Sequence, residues 1–113
     1  MGSAAQHGLV SEKDFLALPE SNQLVELLDG EVYAPPAPSP VHQTVVGRLF
    51  REISTWADVR APIFVGLAPL DVRLAPNRIV QPDVFVLRNG LTSPDGPIGQ
   101  VPELVVEVLS QNR

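Results

Sequence analysis

The sequence contains no cysteine, so the chain can form neither a disulfide framework nor a thiolate metal site. No apolar run approaches the ~18 residues of a membrane-spanning helix, because charged residues and prolines interrupt every stretch. Residues 1–8 lack the basic region and the apolar region that together make a secretory signal. We therefore expect a protein of the cytoplasm that does not contact a membrane.

Positive charge is also scarce in this sequence. The formal net charge is −5 over 113 residues, and Lys13 is the only lysine. Proteins that bind nucleic acid through its phosphates usually carry a basic patch, and this sequence shows none. Charge by itself therefore gives no reason to expect a nucleic-acid partner.

The hydrophobic content is high enough for a folded core. Hydrophobic residues make up 44% of the 113 residues, which is typical of a globular protein. A chain of this length buries roughly 65% of its unfolded surface, enough for one domain. We expect residues 1–10 to form a flexible N-terminal tail and residues 11–113 to form a single domain.

Capping residues and apolar spacing predict two helices. Ser11 is placed to cap a short helix that ends before Pro19. Ser39 is placed to cap a much longer helix from Pro40 to Ala57, with proline in the first helical position. The longer helix carries an apolar stripe at the helical spacing, so it should pack on a sheet.

Turn signals predict several strands around these helices. Asp29-Gly30 is typical of the turn of a hairpin between two short strands. Further strands are expected at residues 63–67, 70–74, 81–87 and 102–110, with a Gly- and Pro-rich loop before the last of them. This order indicates an α/β fold in which a mixed, mostly antiparallel sheet packs against the long helix.

Two of the predicted strands carry a carboxylate where a buried strand should have none. Asp83 opens the stretch 81–87, and Glu107 interrupts the stretch 102–110, which is apolar on both faces. An unpaired buried carboxylate costs several kcal/mol, so it must pair, take a proton or bind a cation. Two such groups on neighbouring strands favour a bound cation. In the alternative reading both are structural and pair with an arginine, for which the candidates are Arg73, Arg78 and Arg88.

His42 and Asp71 are two further polar residues within apolar patterns. His42 starts the inward-facing stripe of the long helix, either hydrogen-bonded at the helix end or as a polar group at the rim of a site. Asp71 lies on the polar face of its strand, where we expect solvation or an arginine partner.

The two carboxylates and their surroundings resemble the PD-(D/E)XK nuclease superfamily, and more finely its Uma-type branch of restriction endonuclease-like proteins of unknown function. The resemblance covers nearly the whole chain after residue 11. The motifs that carry it are Glu26-Leu27-Leu28-Asp29-Gly30-Glu31-Val32, Ser39-Pro40-Val41-His42-Gln43, Val46-Gly47-Arg48-Leu49, Val80-Gln81-Pro82-Asp83-Val84 and Pro102-Glu103-Leu104-Val105-Val106-Glu107-Val108-Leu109-Ser110.

This resemblance implies a restriction-endonuclease-like fold and a bacterial hydrolase that cleaves DNA with a divalent metal. Asp83 and Glu107 would hold Mg²⁺ or Mn²⁺, helped by the backbone carbonyl of Val108, and the cation would lower the pKa of a bound water. Glu31 would add a further acidic contact. His42 would position the water or the phosphate.

The chain departs from the superfamily pattern after Glu107. Leu109 occupies the position where the superfamily usually has a lysine that orients the attacking water, and Gln111-Asn112 replaces the usual Pro-Ser or Pro-Thr. Members of the branch commonly supply the lysine from the following helix, and the chain ends before such a helix. We therefore expect the C-terminal part of the fold to be missing. The chain is then a fragment, or it forms a homodimer through the sheet edge that this exposes.

Two functions of different classes remain after the sequence has been considered. The first is a metal-dependent endonuclease that is inactive as this fragment, because the lysine is missing. The second is a catalytically silent binding or assembly module with a nuclease fold, which the missing lysine, the charge of −5 and the exposed edge favour.

Overall fold

A computed structural model describes residues 9–19 and 24–110 of the chain. The helices and strands in these ranges are α1 (Glu12–Leu16), β1 (Glu26–Leu28), β2 (Glu31–Tyr33), α2 (Pro40–Asp58), β3 (Phe64–Leu67), β4 (Val72–Ala75), β5 (Arg78–Val80), β6 (Val84–Leu87) and β7 (Leu104–Val106). No helix in these ranges is long and apolar enough to cross a membrane. Most of the predicted tail, residues 1–8, and Gln111-Asn112 lie outside the described residues. Val10, at the end of the predicted tail, donates its N–H to the Gly30 carbonyl at 2.7 Å.

The strands form two antiparallel sheets, where the sequence had led us to expect one mixed sheet. The first sheet has the order β2-β1-β5-β4 and the second has the order β3-β6-β7. Within residues 9–19 and 24–110, the one parallel contact is an isolated bridge between Val72 and Ile98. The stretch 78–87 explains the division, because it contributes β5 to the first sheet and β6 to the second. Pro82, which has no N–H for a ladder, lies between them.

The predicted hairpin and helix caps are confirmed. Asp29 and Gly30 both have positive φ, at 54° and 91°, as the turn between β1 and β2 requires. The Ser11 hydroxyl accepts a hydrogen bond from the Asp14 N–H at 3.1 Å. The Ser39 hydroxyl likewise accepts from the His42 N–H at 3.1 Å. These three features are local, and each forms where the sequence places it.

Two apolar clusters hold the layers together. Buried side chains from β4, β6 and the loop before β7 form the first cluster, which consists of Val72, Phe85, Leu87 and Ile98. Side chains from α1, β1 and β5 form the second, which consists of Phe15, Leu27 and Ile79. Because Val72 belongs to the first sheet and Phe85 to the second, the first cluster joins the two sheets.

The long helix covers only part of the second sheet. α2 packs on β3 and β6, and β7 lies beyond it at the edge. Val46 of the predicted stripe is buried, but Val45 and Trp56 of the same stripe stay 39% and 46% exposed. Some apolar side chains of α2 therefore lie outside the area where the helix packs on the sheet.

Candidate functional site

The candidate site lies where the chain passes from one sheet to the other. β5 ends at Val80 in the first sheet, and β6 begins at Val84 in the second. Pro82 is fully buried between them and cannot donate to either ladder. Asp83 therefore stands just before β6 and not inside a strand, and its side chain remains 17% exposed.

Strand register brings Glu107 to Asp83. β6 and β7 pair in antiparallel register, with Val84 opposite Val106. Continuing that register by one residue places Asp83 opposite Glu107, and opposed side chains in such pairs stand about 5 Å apart at Cβ. The Val108 N–H donates to Asp83 Oδ2 at 2.7 Å, which ties the end of β7 to this carboxylate.

The sequence had suggested that Glu107 lies in a buried strand, and this expectation is wrong. β7 ends at Val106, Val105 is 38% exposed and Leu109 is 91% exposed. The reason is that α2 covers β3 and β6 and leaves β7 bare. Glu107 is itself exposed, although its carboxyl group loses part of its hydration to the surrounding protein.

That environment changes the acidity of Glu107. Its pKa is raised to about 7 from the ordinary value, chiefly because the carboxyl group loses hydration and next because the Asp83 and Glu26 charges repel its ionised form. Near neutral pH Glu107 is therefore partly protonated, and a bound divalent cation would favour its ionised form.

Glu26 is a residue of the site that the sequence analysis did not select. It stands at the start of β1, and its Oε2 accepts the Gln81 N–H at 2.8 Å. Its charge contributes to the raised pKa of Glu107. The signal that could have found it is the one that found Glu107, because Glu26 also interrupts an apolar stretch, Leu24-Val25-Glu26-Leu27-Leu28.

His42 lies at the start of α2, where its ring is hydrogen-bonded and contacts Asp83. Its side chain is only 9% exposed, and Nε2 lies 3.2 Å from Asp83 Oδ2. Nδ1 lies 2.9 Å from Oε1 of Gln43. Because an ionised carboxylate can only accept, Nε2 must carry a proton in this contact. His42 therefore orients Asp83, and its Nε2 is not free to accept a proton from a water.

Three further residues considered in the sequence analysis, Glu31, Val108 and Lys13, lie in different parts of the fold. Glu31 is exposed at the turn end of β2, beside Leu28, so Glu26 is the hairpin carboxylate that acts on Glu107. Val108 meets Asp83 through its N–H. Lys13, the only lysine, lies in α1.

In the described residues, Asp83 and Glu107 do not pair with an arginine, as the structural reading of these two carboxylates required. Arg73 pairs with Glu12 at 2.8 Å, and Arg78 pairs with Asp29 at 2.7 Å. Between residues 24 and 110 the ion-pair partner of Asp83 is His42, and no arginine contacts Asp83 or Glu107. Asp71, expected in water or with an arginine, accepts instead from Gln81 Nε2 at 3.0 Å.

The donor set fits an oxygen-seeking cation that keeps part of its water shell. In the described ranges no three His, Asp or Glu side chains form a complete metal site by themselves. Mg²⁺ is nevertheless commonly held by one or two carboxylates together with waters and substrate phosphates. Asp83 and Glu107 match that requirement, since they are adjacent and partly open to solvent.

Comparison with known proteins gives one family match. The model of a family described as "Uma2: Putative restriction endonuclease" matches residues 12–113. No curated protein matches the chain. The match spans both carboxylates, the histidine and both helices.

Proposed function

The chain belongs to the Uma2 family of putative restriction endonucleases, and from that premise we propose that it carries the metal-binding centre of a DNA-cleaving nuclease. The substrate would be a DNA phosphodiester, and the cofactor Mg²⁺ or Mn²⁺. The observation that carries the proposal is the strand register that sets Asp83 opposite Glu107, where lost hydration and then the Asp83 charge raise the pKa of Glu107 to about 7. A divalent cation held by both carboxylates would offset the repulsion that opposes ionisation of Glu107.

Each residue has a separate task in this centre. Asp83 and Glu107 would hold the cation, which when bound supplies a water of lowered pKa and a Lewis acid for the phosphate. The Val108 N–H and His42 Nε2 both contact Asp83 Oδ2, so they fix the rotamer of Asp83. Oδ1 of Asp83 is the oxygen that these two contacts leave for the cation.

Two acidic residues of the hairpin, Glu26 and Glu31, would add negative charge around the cation site without holding the cation directly. Glu26 is anchored by the Gln81 N–H and adds negative potential beside Glu107, which strengthens the attraction for a cation. We propose Glu31, at the outer edge of the same hairpin, as a contact for the water shell of the cation or for a second cation.

The chain by itself is expected to bind the cation without cleaving DNA. Leu109 occupies the usual lysine position and is 91% exposed. Lys13 lies in α1, whose Glu12 contacts Arg73 in the first sheet. A lysine that orients or helps to deprotonate the attacking water is therefore lacking among the described residues around Asp83 and Glu107.

Titration calorimetry with Mg²⁺ and Mn²⁺ tests the centre. We expect binding by the unaltered chain at pH 8, and at least ten-fold weaker binding by Asp83→Asn and by Glu107→Gln. Glu52→Gln, which removes an exposed carboxylate from α2, is the matched control and should bind normally. Absence of binding to the unaltered chain, or equal binding by all three variants, would refute the assignment.

Cleavage is tested on supercoiled plasmid DNA with either metal. We expect no nicking by this chain. If nicking occurs, Asp83→Ala and Glu107→Ala must abolish it for the site to be correct, and nicking that persists in both would place the chemistry elsewhere.

The second candidate function is a catalytically silent binding or assembly module with the same fold. The exposed Leu109 and the net charge of −5 favour it, because both oppose contact with DNA phosphates. A chain that fails to bind either metal in the calorimetric test would support this function.

A further inference from the structure

We propose that a pocket between α1 and the first sheet binds a small organic cation, one that carries an ammonium or guanidinium group on an apolar body. The pocket has a volume of about 610 Å³, which is a common size for a small-molecule site. The described residues that line it include neither Asp83 nor Glu107. The proposal is therefore independent of the metal centre.

The walls of the pocket are apolar and come from separate parts of the chain. α1 and the residues after it contribute Phe15, Leu16 and Leu18. Leu70 and Pro97 come from the loops that precede β4 and β7. The three leucines are 46%, 45% and 37% exposed, in chain order. Large aliphatic side chains that remain in contact with water around one concavity favour a ligand with an apolar body.

Asp71 determines the charge that the pocket selects. It is the only charged residue among the described residues of the lining. Its Oδ1 accepts from Gln81 Nε2 at 3.0 Å, and no cationic side chain in residues 9–19 and 24–110 pairs with it. An ionised carboxylate has about four acceptor sites, so Asp71 can also accept from a ligand. A cation with N–H donors complements this group, and an anion would be repelled.

Gln81 contributes a second acceptor beside Asp71. Its Oε1 is buried and has no hydrogen-bond partner in the described part of the chain. A buried acceptor without a partner is unfavourable, and in native proteins such an atom commonly meets a water, an ion or a ligand. Because this oxygen can only accept, the group that it requires is a donor. An ammonium with three donors, or a guanidinium with five, has enough of them for both acceptors.

The neighbourhood of Gln81 determines how the experiment must be read. The backbone N–H of Gln81 donates to Glu26, and Asp83 follows two residues later, so an added cation could also enter the carboxylate site. The measurement must therefore report where the cation binds as well as whether it binds. NMR spectra of the isotope-labelled full chain meet this requirement, because each backbone amide reports on its own surroundings.

Benzylamine, which carries an ammonium on an apolar ring, is the probe, and the buffer contains a chelator at pH 7. We expect it to bind with a Kd of about 1 mM or less. Benzyl alcohol has a neutral hydroxyl in place of the ammonium, and phenylacetate has a carboxylate there. Both should bind at least about ten-fold more weakly. The backbone signals of Leu16, Leu70 and Gly96 should shift during the benzylamine titration, and those of Val84 and Val108 should stay.

Asp71→Asn removes the charge and keeps an oxygen that can accept from Gln81. This variant should bind benzylamine at least about ten-fold more weakly and benzyl alcohol as before, and the dispersion of its spectrum reports whether it is folded. Asp58→Asn is the matched control, because Asp58 is exposed at the end of α2 and does not line the pocket.

Four results would overturn the proposal. They are an absence of benzylamine binding, equal binding of benzyl alcohol, unchanged benzylamine binding by a folded Asp71→Asn variant, and shifts at Val84 and Val108 in place of the pocket residues. Equal loss in Asp58→Asn would likewise remove the role assigned to Asp71. Because no metal is present, each of these results leaves the calorimetric test of the carboxylate site unaffected.

Discussion

The position of Asp83 relative to Glu107 depends on the register in which β6 and β7 pair. Asp83 and Glu107 face each other because β6 and β7 pair with Val84 opposite Val106. The sequence shows that two carboxylates stand in apolar stretches, and thus that each needs a partner. It does not show that Glu26 joins them from β1, because that approach depends on how the first sheet meets the second.

The raised pKa of Glu107 has a defined effect on stability. Below pH 4.5 the carboxyl group is protonated in both the folded and the unfolded chain, so it adds no penalty. As the pH rises from 4.5 to about 7, the unfolded chain loses the proton and the folded chain keeps it. The free energy of unfolding therefore falls across this window, and the full penalty applies above pH 7.

We predict that Glu107→Gln stabilises the protein at pH 8 in metal-free buffer. The expected gain in the free energy of unfolding is about 1 kcal/mol, after a reduction for the solvent exposure of the group, and at pH 4 the gain should vanish. Urea unfolding at both pH values in the presence of a chelator measures it. Glu31→Gln, on the exposed hairpin, is the control and should change little. A loss of stability at pH 8 would show that ionised Glu107 makes a stabilising contact.

At the level of elements, a glycine in β3 controls how the second sheet packs. Gly66 pairs with Phe85 of β6, and the Phe85 ring lies directly over the Gly66 Cα. An added Cβ would collide with that ring, so the absence of a side chain here is a packing requirement. Phe85 is fully buried in the cluster that joins the two sheets.

We predict that Gly66→Ala lowers the free energy of unfolding by about 1–3 kcal/mol, because the buried ring must move. Gly47→Ala is the matched comparison, since Gly47 lies in α2 with open space where its Cβ would be. That change should raise the free energy of unfolding by roughly 0.5–1 kcal/mol, because alanine favours the helix. Urea titration of both variants measures the difference. Equal effects of the same sign would contradict this account of the Gly66–Phe85 contact.

At the level of the whole molecule, Glu12 connects the N-terminal helix to the first sheet. Its carboxylate accepts from Arg73 Nε at 2.8 Å and also from the Asn77 N–H. The Arg73 hydrogen bond, followed by that of Asn77, lowers the pKa of Glu12 below its ordinary 4.5. The stability from this contact is therefore present above pH 4.5 and is lost as the pH falls through the lowered value. Its slope with pH is opposite to that of Glu107.

We predict that Glu12→Gln lowers the Tm at pH 7 and has less effect at pH 3, because a fall in pH towards the lowered pKa protonates a growing fraction of Glu12 in the unaltered chain. Thermal unfolding at the two pH values measures the change. Asp14→Asn is the control, because it removes a charge from the same helix without touching Arg73, and its effect should be smaller at pH 7. A Glu12→Gln effect that is equal at both pH values would mean that ionisation of Glu12 does not contribute.

The sequence by itself determined the features whose causes lie within a few residues. Ser39 caps α2, Asp29-Gly30 turns the hairpin, and the helical spacing of apolar residues predicts α2 to within a residue of its observed end. The sequence also predicted that Asp83 needs a partner, because a carboxylate beside a buried strand is costly to leave unpaired, and Asp83 contacts His42.

Only the tertiary structure decided which partners these are. It divided the stretch around Pro82 between two sheets, brought Glu26 and His42 to the carboxylates, and left β7 bare beside α2. Each of these outcomes depends on contacts between residues far apart in the chain. A pattern of apolar residues states that a face must be covered, but it does not state what covers it. That is decided when the layers pack, and in this protein the packing places a pair of carboxylates at the junction of two sheets.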